Sequence, residues 1–292
     1  MNGVSGSAKV VAGRRTRVIA AAVMAPVAIL AVLYLPSGWL AAAIAGLMML
    51  GLWEWTLLAG LTERIPRAAY LLGNALLMAA LASAAGPRLV PMQIISLLGV
   101  LWWLCVLLWL SRFKFASADT TGARILKLFA GSASVIPAWT SIVWLHHGTS
   151  PGGGTSNGPI WALFALLIVW VADSGAYFVG VRFGKHKLAP RISPGKSWEG
   201  FFGGLFATLL LAAAMLPWLG LQWSSLPALM LLTAVTSLIS VVGDLFESLL
   251  KRHAGAKDSS DLIPGHGGML DRIDSLLAAL PIFVLGKVWL GL

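Results

Sequence analysis

Nine apolar runs dominate this chain, at about 18–35, 39–61, 68–85, 90–111, 126–147, 160–181, 201–221, 226–250 and 276–291. Each is close to the roughly 20 residues that an α-helix needs to cross the hydrocarbon core of a bilayer. They are too long for barrel strands and do not alternate apolar with polar residues at period two, so helices are expected. A hydrophobic content of 58%, with only 11% charged residues and a mean hydropathy of +0.85, excludes an ordinary soluble globular domain. The 14 Trp and 32 Gly point the same way, Trp collecting at the headgroup level and Gly being tolerated between packed membrane helices. Arg14, Arg15 and Arg17 precede the first run as in a signal peptide. That run is long and no small-residue cleavage site follows it, so a membrane anchor is expected. The fold class is therefore all-α: a polytopic membrane protein of about nine helices. No repeat of 20 to 50 residues is visible and no loop is long enough to fold separately, so residues 1–292 read as one membrane domain.

Charge placement tests the span count independently. The N-terminus and the connectors near 62–67, 112–127, 182–199 and 251–275 form one alternating set, which holds every Lys and Arg except Arg88 and Lys287. The opposite set includes an uncharged loop from Gly148 to Pro159. This is the positive-inside pattern, and it predicts a cytoplasmic N-terminus and an external C-terminus. The net charge of +10 then suits anionic lipid or a phosphorylated ligand rather than nucleic acid. Cys105, the only cysteine, excludes an internal disulfide and a thiolate-rich metal site. The two largest polar loops fall on the same cytoplasmic face, where chemistry is expected.

Ionisable residues inside spans are costly unless they face a partner or a polar cavity. Glu54, beside Trp53 and Trp55, reads as pairing with a neighbouring helix or sitting near the interface. Asp173 and Tyr177 share one helical face, and spacing leaves a structural hydrogen bond and a site role equally open. The eighth run ends in Gly243-Asp244-Leu245-Phe246-Glu247-Ser248-Leu249-Leu250-Lys251-Arg252. Asp244, Glu247, Ser248 and Lys251 form one polar stripe there, either a pocket wall or an interfacial ion-pair ladder. Then follow Lys257-Asp258, Pro264-Gly265-His266-Gly267-Gly268 and Asp271-Arg272-Ile273-Asp274. A glycine turn at a helix start lets backbone N–H groups approach an anion. Carboxylates at both ends of the loop suit Mg2+ shared with phosphate oxygens, and Lys and Arg offset the remaining charge.

The other loop carries Lys185, Lys187, Arg191 and Lys196 in the neighbourhood of Ser193-Pro194-Gly195-Lys196-Ser197-Trp198-Glu199-Gly200. Its charges read either as topogenic signals or as phosphate partners. The spacing is not that of a P-loop and no βαβ context exists, but Lys196 and Ser197 at a helix start can face a phosphate. A phosphate monoester is already largely ionised near neutral pH, its second pKa being about 6, so His266 is not needed as a base. It reads as a phosphate hydrogen-bond partner or as a shaper of the glycine turn.

The run from Ser248 to Asp274, with Ser-Leu-Leu-Lys-Arg, Lys-Asp and Ile-Pro-Gly-His-Gly-Gly-Met-Leu-Asp-Arg-Ile-Asp, resembles the signature of phosphatidate cytidylyltransferases. Asp173-Ser174-Gly175-Ala176-Tyr177, Phe183-Gly184-Lys185 and Ser193 to Gly200 are similar to further segments of that family. Gly195 and Ser197 stand where many members carry Lys and Thr. Residues 1–150 match only as apolar helices.

The resemblance implies transfer of the cytidylyl group of CTP to phosphatidate, giving CDP-diacylglycerol and pyrophosphate. It implies a dimeric, Mg2+-dependent protein of a bacterial inner membrane with its site on the cytoplasmic face. It assigns Mg2+ to Asp244 and Asp271, with a second cation shared between them as a further option, and makes Asp244, Lys251 and Asp271 the catalytic set. Ser248, Arg252, Lys257, Asp258, His266, Gly267, Gly268, Arg272 and Asp274 match signature positions expected to bind substrate, with Asp173, Lys196 and Ser197 from the other segments. Two rivals stand beside this reading. CDP-alcohol phosphotransferases need an Asp-Gly-x-x-Ala-Arg pattern that is absent. An ion-coupled transporter calls for charges near the midplane and for internal repeats, whereas most charges here gather at one face.

Overall fold

The computed structural model describes residues 24–86, 89–148, 157–260, 262 and 267–292. Nine α-helices among them follow the apolar runs: α1 (Met24–Tyr34), α2 (Ser37–Leu58), α3 (Arg64–Ala84), α4 (Val90–Ser111), α5 (Thr121–His147), α6 (Gly158–Phe183), α7 (Trp198–Met215), α8 (Leu226–His253) and α9 (Leu270–Trp289). The seven from α2 to α8 are long and apolar enough to cross a membrane. Of the first apolar run, only Met24–Tyr34 falls in described helix, and α9 carries Asp271, Arg272, Asp274 and Lys287 on an otherwise apolar rod. α9 begins at Leu270, ahead of the apolar run at 276, so Asp271 and Asp274 lie in its first turns.

α5 is the axis of the bundle. Of its most apolar stretch 78% is buried, against 17% in α3, and α2, α4, α6 and α9 pack around it. α6 and α7 pair along small residues: a Cβ on Gly200 would lie 2.7 Å from Ala176 O, and one on Gly175 3.1 Å from Gly204 Cα. Such residues let two backbones approach closely where lipid supplies no hydrophobic drive between helices.

Four tryptophans pack inward, against Phe246, instead of outward. Trp55, Trp102, Trp103 and Trp109 surround the buried ring of Phe246, with centroids 6.0, 6.3, 6.0 and 5.2 Å away. Each indole N–H finds an acceptor: Lys127 O (2.7 Å), Ser134 Oγ (3.0 Å), Leu277 O (3.0 Å) and Phe115 O (3.2 Å), respectively. Tyr and Trp are buried readily only when their polar atom is satisfied in this way. Burying Phe246, Leu249 and Leu250 orients the end of α8, so that Glu247 and Lys251 turn toward α9 and Asp244 toward β2.

The connector 182–199 departs from a purely helical chain. It folds as an antiparallel hairpin, β1 (Lys187–Ala189) with β2 (Ser193–Ser197), in which Lys187 pairs with Ser197 and Ala189 with Ser193. No alternating apolar pattern announces it, because its stability comes from outside the strands. Glu199 accepts from the backbone N–H of Lys185 (3.1 Å) and His186 (3.2 Å) and pairs with His186 Nδ1 (2.6 Å), closing the stem.

The basic connectors gather at one end of the bundle. Arg252 Nε donates to Ile192 O (3.2 Å), His253 Nε2 contacts Phe113 O (2.6 Å), and Arg67 Nη2 donates to Trp53 O (2.9 Å). Arg67 is itself buried, its guanidinium 3.5 Å from the Trp53 ring centroid, and it ties α3 to α2.

Candidate active site

Two ion-pair groups stand side by side where α8 ends and α9 begins. In the first, Lys251 lies between two carboxylates: its Nζ is 2.7 Å from Asp271 Oδ1 and also pairs with Glu247, one turn earlier on α8. Both lysine partners are largely enclosed, the Glu247 side chain being only 2% exposed. In the second, Lys196 reaches from β2 to Asp244 Oδ2 at 2.5 Å, and Ser248 Oγ donates to Asp244 Oδ1 at 3.3 Å. Asp173 and Asp274 also act electrostatically on Lys196. Burial pulls the Lys196 ammonium down, but Asp244, Asp173 and Asp274 outweigh it and hold the pKa above the ordinary lysine value. Lys196 is therefore a fixed cation at neutral pH.

Asp271 is built in rather than free-swinging. Its Oδ2 accepts from Gly268 N (2.8 Å) and Ser259 N (3.1 Å), and Ser259 Oγ lies 2.9 Å away. Gly267 holds φ +77°, a left-handed conformation that favours glycine, and so turns the chain back for Gly268 to reach Asp271. The Gly268 N–H thus serves Asp271, where the sequence suggested a phosphate. Asp274, one turn on, accepts from Ser275 N at 2.6 Å.

Ser197 caps α7 by accepting from Gly200 N (3.2 Å), which places Lys196 at the helix start as its position suggested. Beside it opens a cavity of about 520 Å³ between α6, the hairpin, α7 and α8. Its polar lining is Asp173, Tyr177, Ser193, Lys196, Ser197 and Asp244, and apolar side chains form the rest. Asp173 and Tyr177 line it together, which gives the shared face of α6 a place in the site.

The other expected residues are dispersed. Arg252 is exposed and binds Ile192 O and Ala256 O (3.4 Å), tying the hairpin to α8. Lys257 and Asp258 lie on the following loop, and Arg272 is exposed in the first turn of α9. His266 lies outside the described residues, with Pro264 and Gly265. Asp244 and Asp271, expected to share a metal, are held by different lysines. Among the described residues no three His, Cys, Asp or Glu side chains already converge as a metal site.

Three residues absent from the expected set complete the region. Glu247 is the second acid on Lys251. Ser259 N donates to Asp271 and its hydroxyl stands between Asp271 and Glu54 of α2, which also accepts from Ser260 and from the amides of Met269 and Leu270. Glu247 was legible as part of the α8 stripe. Glu54 and Ser259 meet across 205 positions, a relation no local pattern carries.

The arrangement offers partners to both an anion and a cation. Two enclosed ammonium groups, hard carboxylate oxygens and a cavity with apolar walls at a helix end can hold a phosphate together with an oxygen-binding cation.

Comparison with known proteins agrees. A family model described as the cytidylyltransferase family matches residues 15–288. A phosphatidate cytidylyltransferase of Pseudomonas aeruginosa is 41% identical over 269 residues, covering 92% of this chain and 95% of that protein. One from Haemophilus influenzae is 38% identical over 289 residues, covering 92% and 96%. One from Staphylococcus aureus is 49% identical over 127 residues, covering 44% of this chain and 48% of that protein.

Proposed function

Because the chain belongs to the cytidylyltransferase family, we propose that it transfers the cytidylyl group of CTP to phosphatidate, releasing pyrophosphate and leaving CDP-diacylglycerol in the bilayer. The observation that carries this reading is the meeting of Lys196, Asp244 and Asp173 on one cavity beside the Lys251–Asp271 pair. A soluble nucleotide and a membrane lipid can both reach such a place, since the diacyl chains stay among the helices and only the headgroup enters.

A phosphatidate oxygen attacks the α-phosphorus of CTP in line. A new P–O bond forms while the bond from the α-phosphorus to the β-bridging oxygen breaks, and pyrophosphate leaves with the electron pair. The nucleophile is a phosphate monoester, already largely ionised near neutral pH, so no general base is required. The protein's work is positioning and charge neutralisation. Lys196, partnered by Asp244 and bordering the cavity, suits the lipid phosphate; Lys251, with Asp271, suits the triphosphate. Ser197 and the start of α7 add a further partner for the lipid phosphate.

The residues present fit Mg2+ by donor chemistry. Asp244, Asp271 and their neighbours Asp173, Glu247 and Asp274 supply hard oxygen donors, and these five acids outnumber the two enclosed lysines among them. Asp244 and Asp271 would hold the ion, and a second cation shared between them belongs to the same proposal. When bound, Mg2+ neutralises triphosphate charge and offsets that of the departing pyrophosphate. We further place the site on the cytoplasmic face of a bacterial inner membrane, from the positive-inside pattern, and the protein in a homodimer, from family resemblance alone.

The test is purified protein with Mg2+, phosphatidate and each nucleoside triphosphate in turn, following pyrophosphate and lipid-linked nucleotide. Turnover with CTP far above that with the other three is expected. Equal turnover with all four overturns the cytidine assignment, and no turnover with any returns the transporter to contention.

A further inference from the structure

Glu54 sits in α2, 1% exposed, far in sequence from every signature residue. Its carboxylate is nevertheless filled by them. Oε1 accepts from Ser260 Oγ (2.5 Å) and Met269 N (2.9 Å), and Oε2 accepts from Leu270 N (2.7 Å) and lies 2.9 Å from Ser259 Oγ. Met269 is the N-cap and Leu270 the first residue of α9, whose first amides have no intrahelical acceptor, and the Met269 side chain does not cap them. The cap comes from another membrane helix, 215 positions away at Met269.

Two features connect this acid to Asp271. Ser259 Oγ lies 2.9 Å from Glu54 Oε2 and 2.9 Å from Asp271 Oδ2, so one hydroxyl stands between two carboxylates. Gly268, which donates to Asp271, is packed so closely that a Cβ would overlap both Ser259 Oγ and Glu54 Oε2. Glu54 therefore touches the residues that aim Asp271 and acts on that carboxylate through them.

We infer that Glu54 is a positioning residue: through Ser259, Gly268 and the first turn of α9 it sets the direction of the Asp271 carboxylate and thereby the cation affinity of the site. This rests on the reading that Asp271 helps to hold Mg2+. Glu54→Gln keeps the shape of the side chain but turns an acceptor into an amide donor that faces donors. Partners that orient a metal ligand in this way change metal affinity by about 10- to 100-fold when replaced.

The test uses the full chain in detergent micelles with Glu54→Gln, Glu54→Asp, Ser259→Ala and Asp271→Asn. Two quantities are read against Mg2+ concentration: turnover with CTP and phosphatidate, and, without substrate, the rise in melting temperature followed by intrinsic tryptophan fluorescence. Glu54→Gln is expected to move both Mg2+ midpoints upward by about tenfold while leaving the KM for CTP at saturating Mg2+ within about twofold. Glu54→Asp, which keeps the charge, recovers part of the shift. A Glu54→Gln protein that melts lower but keeps the wild-type Mg2+ midpoints has lost only a structural clamp, and the inference is overturned. If Glu54→Gln does not fold, Ser259→Ala decides, since it removes the shared hydroxyl and leaves the other donors on Glu54: a raised midpoint supports the inference and an unchanged one overturns it. Asp271→Asn separates the two levels. Wild-type Mg2+ midpoints in that variant overturn the reading of Asp271 itself, whereas their loss beside an unshifted Glu54→Gln overturns only the role of Glu54.

Discussion

Lys251 joins two helices through a single ammonium group. Its ammonium is the shared counter-ion of Glu247 on the same helix and of Asp271 on the next. Removing one partner of a buried charge group costs about 3–5 kcal/mol because the remaining charge is left uncompensated. Lys251→Met is expected to lower stability by about 3 kcal/mol or more, read by denaturation in micelles, and to abolish turnover. Gly268→Ala is a sharper probe, since the added methyl overlaps Ser259 and Glu54. It should sharply reduce activity, whereas alanine at the exposed Gly195, which has open space around it, should leave folding unchanged by thermal melting. The acids and lysines of both loops were legible in the sequence because a polar stripe at helical spacing interrupts an apolar run. Their pairing was not: nothing in the order of residues tells that Lys196 crosses to Asp244 or that Lys251 takes Asp271.

Elements decide where those side chains point. α8 is oriented by Phe246 inside its ring of four tryptophans, so Phe246→Ala opens a cavity beneath Asp244 and Glu247. A loss of about 3–5 kcal/mol is expected from thermal or denaturant unfolding, together with a fall in turnover. Ser197→Ala removes the cap of α7 and should cost about 1 kcal/mol, because one N–H at the helix start loses its acceptor. The helices were readable from the length of the apolar runs, whereas the hairpin was not. Ser193-Pro194-Gly195-Lys196-Ser197 shows no alternation, and its stem is closed by Glu199, which the sequence left in the connector and the fold places in the first turn of α7. The tryptophans were legible as membrane residues, but composition could not separate Trp55 or Trp103, buried against Phe246, from Trp218 and Trp289, which are exposed.

At the scale of the whole molecule, alternate connectors carry nearly all the positive charge, and the described members of that set lie together around the candidate site. The orientation this implies can be checked with Cys105 replaced by Ser and a single cysteine introduced by Lys114→Cys, on the basic side, or Trp218→Cys, on the other. A membrane-impermeant thiol reagent should label the first only in inverted vesicles and the second only in right-side-out vesicles. The central claim is that the acids at the end of α8 and the start of α9 carry out nucleotidyl transfer. Its most direct measurement is pyrophosphate release from CTP and phosphatidate by purified Asp244→Asn and Asp271→Asn proteins whose melting shows them folded. Each is predicted to fall by about 100-fold or more; near wild-type release by either folded variant would contradict the account.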